Sequence, residues 1–530
     1  MMITITINDQ KISVPEGITI LEAARKLNIE IPTLCYLENC DPITSCMLCI
    51  VQDLNSDRML PSCSMSVMEG MRIETESDLV QKSRKDTLDL LLSEHIGNCE
   101  GPCLRSCPAY MNIPLMIRQI KANKFDAALR TVKQHIALPA VLGRICPAPC
   151  ERGCNRKYYD GTVSICLLKR FVADVDLESG TPYMPEIKNK SGKKVAIFGA
   201  GPAGLSAAYY LIQEGHECHI FDDHKLPGGL LRYGVPDEKL DKSILDAEID
   251  IIRHMGARFH MERILGKDIS IYEARTDYNA VILATGYKEN ETPEYGNVEI
   301  TSKGIVVDRK TLETSLPGVF AGGNAIAEGK MAIRSLAHGK FMAESVNQLL
   351  NDLPLTGFER RFNSVMGKLM DDEGDTFAQQ AGNAPPVKPA NGPVAGYTSE
   401  EAILESTRCF RCGCRKQVSC KLRKYADQYG ASQLRFKTGV REKLQLNLQH
   451  NTVLYESGKC IKCGICVQIT EKEKEEFGLT FIQRGFDVRV AVPLHKSLKE
   501  GLSKVAQKCV EACPTAALAT QNFFEELNNE

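Results

Sequence analysis

The residues that can do chemistry in this chain are cysteines, and they fall in groups. The first holds Cys35, Cys40, Cys46, Cys49 and Cys63. Cys99, Cys103 and Cys107 come next, then Cys146, Cys150, Cys154 and Cys166. After a long gap stand Cys409, Cys412, Cys414 and Cys420, then Cys460, Cys463 and Cys466, and finally Cys509 and Cys513. Only Cys218 stands alone. Twenty-two cysteines in 530 residues are many for a large chain, yet far short of the roughly 8–10% typical of small disulfide scaffolds. The opening MMITITINDQ has no basic region and no long apolar run, so a secretory signal is not expected. Clustered thiols in a cytoplasmic protein read as metal ligands, not disulfides.

Cys35, Cys46, Cys49 and Cys63 are spaced C-x10-C-x2-C-x13-C behind a hairpin and a helix. Four thiolates on wrapping loops suit a 2Fe–2S cluster, with structural zinc as the plainer alternative. This segment, about residues 1–80, resembles the ferredoxin-like N-terminal domain of the complex I large peripheral-arm subunit and of iron-only hydrogenases. The resemblance implies one 2Fe–2S cluster on those four cysteines. Cys40 falls outside the pattern and reads as a buried or free thiol.

His95, Cys99, Cys103 and Cys107-Pro108 are spaced by threes, as are Cys146, Cys150 and Cys154. A Cys-Pro after a cysteine series is a frequent end of a 4Fe–4S run. RICPAPCERGC, from Arg144 to Cys154, resembles the N-terminal domain of the glutamate synthase small subunit and of dihydropyrimidine dehydrogenase. The resemblance implies two interleaved 4Fe–4S clusters, one on Cys99, Cys103 and Cys154, the other on Cys107, Cys146 and Cys150. His95 lies where the family's first cysteine would sit, and is otherwise a surface histidine after a helix. The second cluster's remaining ligand in the family, a Gln or Glu, falls on Lys169, whose ammonium cannot ligate. Cys166 is the better candidate.

KKVAIFGAGPAGLSAAYYL reads as strand, Gly-rich turn and helix. Gly199, Gly201 and Gly204, with Pro202 and Ala203 between them, make G-x-G-x-x-G. That turn lets a backbone approach a pyrophosphate at a helix N-terminus. Asp222, at the end of the next strand, is placed for a ribose hydroxyl. Further matches to the glutamate synthase small subunit are GGLLRYGVPDEKL, VILATG and GVFAGGNA. They imply FAD contacts at Gly229, Leu230, Arg232, Thr285, Gly286, Gly323 and Asn324. The last motif normally ends in Gly-Asp; Asn324 keeps the hydrogen-bonding ability but not the charge. Between Tyr287 and Leu316 no second Gly-rich unit occurs, so the family's own NADPH-binding domain is expected to be missing.

Cys409-x2-Cys412-x-Cys414-x5-Cys420 is expected to hold a fourth 4Fe–4S cluster, or zinc, which the spacing leaves open. Cys460, Cys463 and Cys466 follow the two-cluster bacterial ferredoxin spacing, but Thr470 replaces the next cysteine. Cys513-Pro514 then supplies their fourth thiolate, because the Cys-Pro cysteine of one such motif ligates the other motif's cluster. Cys509 is left spare.

The elements that carry these groups read as multidomain α+β and α/β. Expected are a β-grasp ferredoxin over 1–80, a helical two-cluster domain over 81–190 and a Rossmann-like FAD domain over 191–350. A linker over 351–400 leads to the four-Cys segment at 401–440 and a C-terminal ferredoxin-like cluster domain at 441–530. The hairpin is read in ITITINDQKISV, alternating on both sides of Asn8-Asp9, and the first helix in ILEAARKL. A net charge of −2 gives no reason to expect nucleic acid. No apolar run approaches the roughly 18 residues of a membrane span.

Together these features describe an electron-transfer iron–sulfur flavoprotein subunit of a soluble NAD(P)H- or ferredoxin-linked oxidoreductase complex, with FAD, one 2Fe–2S and three or four 4Fe–4S clusters. No side chain stands out as catalytic. Expected partners are an NADH-oxidising flavoprotein subunit of complex I type, ferredoxin, and hydrogenase or formate dehydrogenase subunits; whether bifurcation occurs is left open. The alternatives are a glutamate synthase small-subunit-like electron donor and a non-enzymatic cluster-bearing scaffold.

Overall fold

The structure is a computed structural model that describes residues 1–286, 295–329 and 331–522, apart from the side chain of Phe486. It divides into two compact units. The first comprises Met1–Gly101, Arg361–Gln379 and Cys412–Glu530, the second Pro102–Arg360 and Gln380–Arg411.

In the first unit, strands Met2–Ile7 and Gln10–Pro15 pair antiparallel from Met2↔Pro15 to Ile7↔Gln10. The turn between them is Asn8-Asp9, both at positive φ, the conformation a two-residue hairpin needs and these residue types tolerate. Ile3, Ile5 and Ile7 point inward while Thr4 and Thr6 alternate away. The sheet runs Gln10–Pro15, Met2–Ile7, Arg72–Glu74, Ile50–Asp53, Arg58–Pro61. Helix Ile20–Lys26 begins in a Thr19/Glu22 capping box and buries Ile20, Leu21, Ala23 and Ala24 against that core.

A second core in the same unit draws on both ends of the chain. Leu88 and Leu92 of helix Asp78–Ser93 pack there with Cys35, Leu422, Val453, Ile465 and Leu502. The C-terminal part adds a three-stranded antiparallel sheet of Leu446–Asn447, Val453–Glu456 and Leu518–Thr520, with helices Ile465–Lys472 and Ala506–Ala512.

The second unit is built on a parallel sheet in the order Val319–Ala321, Ala280–Leu283, Lys194–Phe198, Glu217–Asp222, Arg258–Met261. Its central strands, VAIF and AVIL, are buried throughout, as expected where helices cover both faces. Helices Pro202–Gln213 and Ala332–Leu350 pack closely: a Cβ on Gly339 would lie 2.3 Å from the Ala203 carbonyl oxygen. Helices Ile113–Lys121, Phe125–Lys133, Pro139–Ile145 and Ile165–Glu178 share this unit's core. Among the described residues between Leu283 and Val319, Ile300–Thr301 pairs with Gly304–Ile305. Tyr287 and the rest of 287–294 lie outside the described residues.

The expected division at 80/81 falls inside helix Asp78–Ser93, whose apolar face belongs to the first unit. The segment expected as a linker over 351–400 is tied down: Val387 N–H donates to Glu405, and Tyr397 Oη to the Val387 carbonyl.

Candidate functional site

Cys35, Cys46, Cys49 and Cys63 are all buried on loops beside the five-stranded sheet. Thr44 and Met47, on either side of Cys46, take positive φ. The thiols meet in pairs, Cys35 with Cys46 and Cys49 with Cys63, and the Cys46 contact pulls the Cys35 thiol below its ordinary value. Cys35 also lies within electrostatic reach of Cys49 and Cys63. Cys40 is half-buried, within reach of Lys508.

Cys460, Cys463, Cys466 and Cys513 line one apolar cavity with Tyr455. Lys462 and Gly464 have positive φ and curl the loop around it; the Lys462 N–H donates to Cys460 Sγ at 3.4 Å. Burial raises the pKa of Cys460, Cys463 and Cys466. Cys509 does not line the cavity; it is fully buried, with its Sγ 3.9 Å from the Cys466 carbonyl. Thr470 donates to the Val467 carbonyl and accepts from Leu479 N–H, which ties two backbone segments together.

Cys107, Cys146, Cys150 and Cys166 surround Lys169 in the second unit. Cys166 contacts both Cys146 and Cys150, and its N–H donates to Glu151 at 2.8 Å. Contact with Cys166, then burial, drives the Cys146 thiol upward. Burial pushes the Lys169 pKa down, but the four thiols outweigh it, and the net shift is upward. Lys169 is 3% exposed.

The other eight candidates divide between the units. His95, Cys99, Cys412, Cys414 and Cys420 belong to the first, Cys103, Cys154 and Cys409 to the second. Cys154 and Cys409 are electrostatic neighbours, and Cys414 and Cys420 are neighbours of Cys99.

At the dinucleotide site, Gly199 ends strand Lys194–Phe198 at φ +113°, where a Cβ would lie 2.2 Å from the Ala284 carbonyl oxygen. A Cβ on Gly204 would lie 1.9 Å from the Gly199 oxygen. Pro202 and Ala203 open the helix, with Pro202 in its first turn. Asp222 braces this turn: Oδ2 accepts from Ala200 N–H at 2.6 Å and Oδ1 from His224 N–H at 2.9 Å. Oδ1 also meets His224 Nδ1 at 2.8 Å, so Oδ2 is the oxygen that keeps a further lone pair for a ligand hydroxyl. A cavity lies alongside, lined by Gly199, Asp222, Arg263, Leu265 and Thr285.

The remaining FAD candidates are mostly engaged within the chain. Gly229 is left-handed and closes on the Gly201 backbone, and Leu230 begins the short helix after it. Arg232 donates to the Pro227 carbonyl, Thr285 bonds the Tyr295 hydroxyl, and Gly286 has positive φ. Gly323 N–H donates to His338 Nδ1, and Asn324 Nδ2 to the Gly329 carbonyl.

Lys169 and Arg263 are site neighbours that spacing did not single out. Lys169 came up only as a failed ligand. Its charge matters because thiols from three separate segments converge on it, and no local pattern announces that.

These are iron–sulfur and Rossmann-type dinucleotide-binding domains. Residues 1–78 match the 2Fe-2S iron-sulfur cluster binding domain. Residues 93–181 match the dihydropyrimidine dehydrogenase domain II, 4Fe-4S cluster, and residues 197–267 the NAD(P)-binding Rossmann-like domain. Among curated proteins, the chain is 37% identical over 241 residues to the NADPH-Fe(3+) oxidoreductase subunit beta of Geobacter sulfurreducens, a match covering 43% of this chain and 35% of that protein. It is 39% identical over 207 residues to the NADP(+)-dependent formate dehydrogenase subunit beta of Moorella thermoacetica, covering 35% and 29%. It is 38% identical over 182 residues to the glutamate synthase [NADPH] small chain of Bacillus subtilis, covering 34% and 36%. The chain thus spans about a third of the length of these relatives. No helix among the described residues is long and apolar enough to cross a membrane.

Proposed function

We propose that this chain is an electron-transferring subunit of an NAD(P)H- or ferredoxin-linked oxidoreductase complex, carrying FAD and a series of iron–sulfur clusters. Bound clusters would pass single electrons, and FAD would convert between one- and two-electron steps. The residues that would hold 2Fe–2S are Cys35, Cys46, Cys49 and Cys63. Two 4Fe–4S sites fall on Cys107, Cys146, Cys150 and Cys166, and on Cys460, Cys463, Cys466 and Cys513. His95, Cys99, Cys103, Cys154, Cys409, Cys412, Cys414 and Cys420 are the donors for the rest.

The observation that carries this reading is the packing of several thiol sets in a single buried core. Cys35, Cys46, Cys420 and Cys463 share it, with Cys460, Cys466 and Cys513 packed against it. Cys463 is within electrostatic reach of Cys35, and Cys420 of Cys513. Structural metal sites have no need to adjoin one another; sites that relay electrons do. For FAD, the support is a turn with no room for side chains at Gly199 and Gly204, beside a cavity that Asp222 edges. Twenty-two free cysteines suit a reducing, cytoplasmic setting. As partners we propose a complex I-type NADH-oxidising flavoprotein, ferredoxin, and a hydrogenase or formate dehydrogenase.

The test is anaerobic purification, release of bound flavin, and an EPR-monitored redox titration. Several clusters reducing at distinct potentials, with flavin present, is the expected result. Clusters that stay silent throughout would leave the scaffold reading standing. A second reading, a glutamate synthase small-chain-like donor, draws on the Bacillus subtilis match. Glutamine-dependent activity with a large amidotransferase chain would favour it.

A further inference from the structure

In the first unit the chain around Cys99 runs beside the chain around Cys414. Asn98 and Gly413 form a parallel bridge, and the Cys414 N–H donates to the Cys99 carbonyl at 3.0 Å. Gly413 fits because a Cβ there would already lie 3.3 Å from the Gly101 nitrogen. Cys420, which caps helix Lys421–Gln428, joins the same buried place. Cys414 and Cys99 are its electrostatic neighbours. All three cysteines are buried, though sequence separates Cys99 from the other two by most of the chain.

The surroundings suit thiolates. The Ser364 N–H donates to Cys99 Sγ at 3.4 Å, and the Ser364 hydroxyl lies 3.2 Å from that sulfur. Lys459 is buried, paired with Glu456 at 2.6 Å, and within electrostatic reach of Cys414. His95 is also a close neighbour of Lys459. A Cβ on Gly97 would lie 2.8 Å from Lys459 Cε and 3.5 Å from His95 Nε2. The His95 Nδ1 is buried without a hydrogen-bond partner. Such an orphan costs stability unless something outside the protein's own groups satisfies it.

We propose that Cys99, Cys414 and Cys420, with His95 as fourth ligand, hold one 4Fe–4S cluster. This set replaces the grouping of Cys99 with Cys103 and Cys154 that the family resemblance implied, and the grouping of Cys414 and Cys420 with Cys409 and Cys412 that spacing suggested. Three thiolates and an imidazole would also bind zinc. Iron is favoured because Cys420 lies within electrostatic reach of Cys513, and Cys463 of Cys35, so a redox-inert ion would interrupt the series. The inference rests on the proposed cluster-bearing function.

The experiment compares anaerobically reconstituted full-length wild type with Cys99→Ser, Cys420→Ser and the double variant, by iron assay and EPR spin counting. One shared site predicts that each single variant loses about four iron atoms and that the double variant loses about the same four. Additive losses of about eight in the double variant would overturn it, as would one equivalent of zinc in place of that iron. Should those serine variants misfold, His95→Cys keeps four donors and tests the imidazole ligand. It should retain the iron, abolish a ¹⁴N hyperfine coupling present in the wild type, and lower that cluster's potential, since imidazole ligation raises it. Cys414→Ser beside Cys103→Ser tells which cysteines share the His95 cluster: loss of the ¹⁴N-coupled signal in Cys103→Ser but not in Cys414→Ser would overturn the set. A wild type without that coupling would overturn the assignment. A wild type with no reducible cluster anywhere would overturn the proposed function itself, and this site with it.

Discussion

Lys169 lies one helical turn after Cys166, buried, and within electrostatic reach of the thiols of Cys166, Cys146, Cys150 and Cys107. A buried cation beside a cluster site stabilises the reduced form, which carries one more negative charge. Lys169→Met should therefore lower that cluster's potential. For unit charges about 6 Å apart at an effective dielectric near 20, the shift is on the order of 100 mV. Lys169→Arg should restore most of it. An EPR-monitored titration reads the change, and an unmoved potential in Lys169→Met would refute the charge argument.

Cys513 and Cys509 are four residues apart on one helix end and have opposite surroundings. Cys513 lines the cavity with Cys460, Cys463 and Cys466, while Cys509 is buried outside its lining, with its Sγ against the Cys466 carbonyl. Cys513→Ala should remove or degrade one 4Fe–4S signal, and Cys509→Ala should leave the cluster inventory unchanged. Metal binding and local folding are coupled, so Cys513→Ala should also make the region after residue 441 more sensitive to protease. An intact signal in Cys513→Ala, or a missing one in Cys509→Ala, would show the pairing to be wrong.

Gly204→Ala tests the dinucleotide site. Its Cβ would sit 1.9 Å from the Gly199 carbonyl oxygen, a backbone atom that cannot move aside cheaply. The turn must open, and bound flavin should fall to a small fraction of wild type while the cluster signals of the first unit persist. Flavin absorbance after acid release makes the measurement. Full flavin occupancy in this variant would argue against FAD at this turn.

The isolated chain should be reduced rapidly by dithionite or reduced ferredoxin, and slowly by NADH or NADPH. Stopped-flow bleaching by NADPH at ordinary enzyme rates, on the order of 10 per second, would show that the Rossmann-type domain serves nicotinamide directly.

The sequence by itself determined what is local. The hairpin about Asn8-Asp9, the strand–turn–helix at Gly199 to Gly204 and the cysteine trio Cys460, Cys463 and Cys466 are each encoded within about 20 residues, through side-chain alternation, glycine placement and ligand spacing. Cys166 became a candidate only through the family resemblance, which put the remaining ligand at Lys169, whose ammonium cannot ligate. The tertiary structure decided what is distant: that Cys35 shares a core with Cys463, and that Cys99 lies against Cys414 and Cys420. It also decided that helix Asp78–Ser93 belongs with the C-terminal segment. Thiolate spacing reports only donors that one loop can bring to one metal. Which loops converge depends on the burial of Leu88, Leu92, Leu422 and Ile465 in a common core, and apolar packing between remote segments leaves no periodic mark in either one.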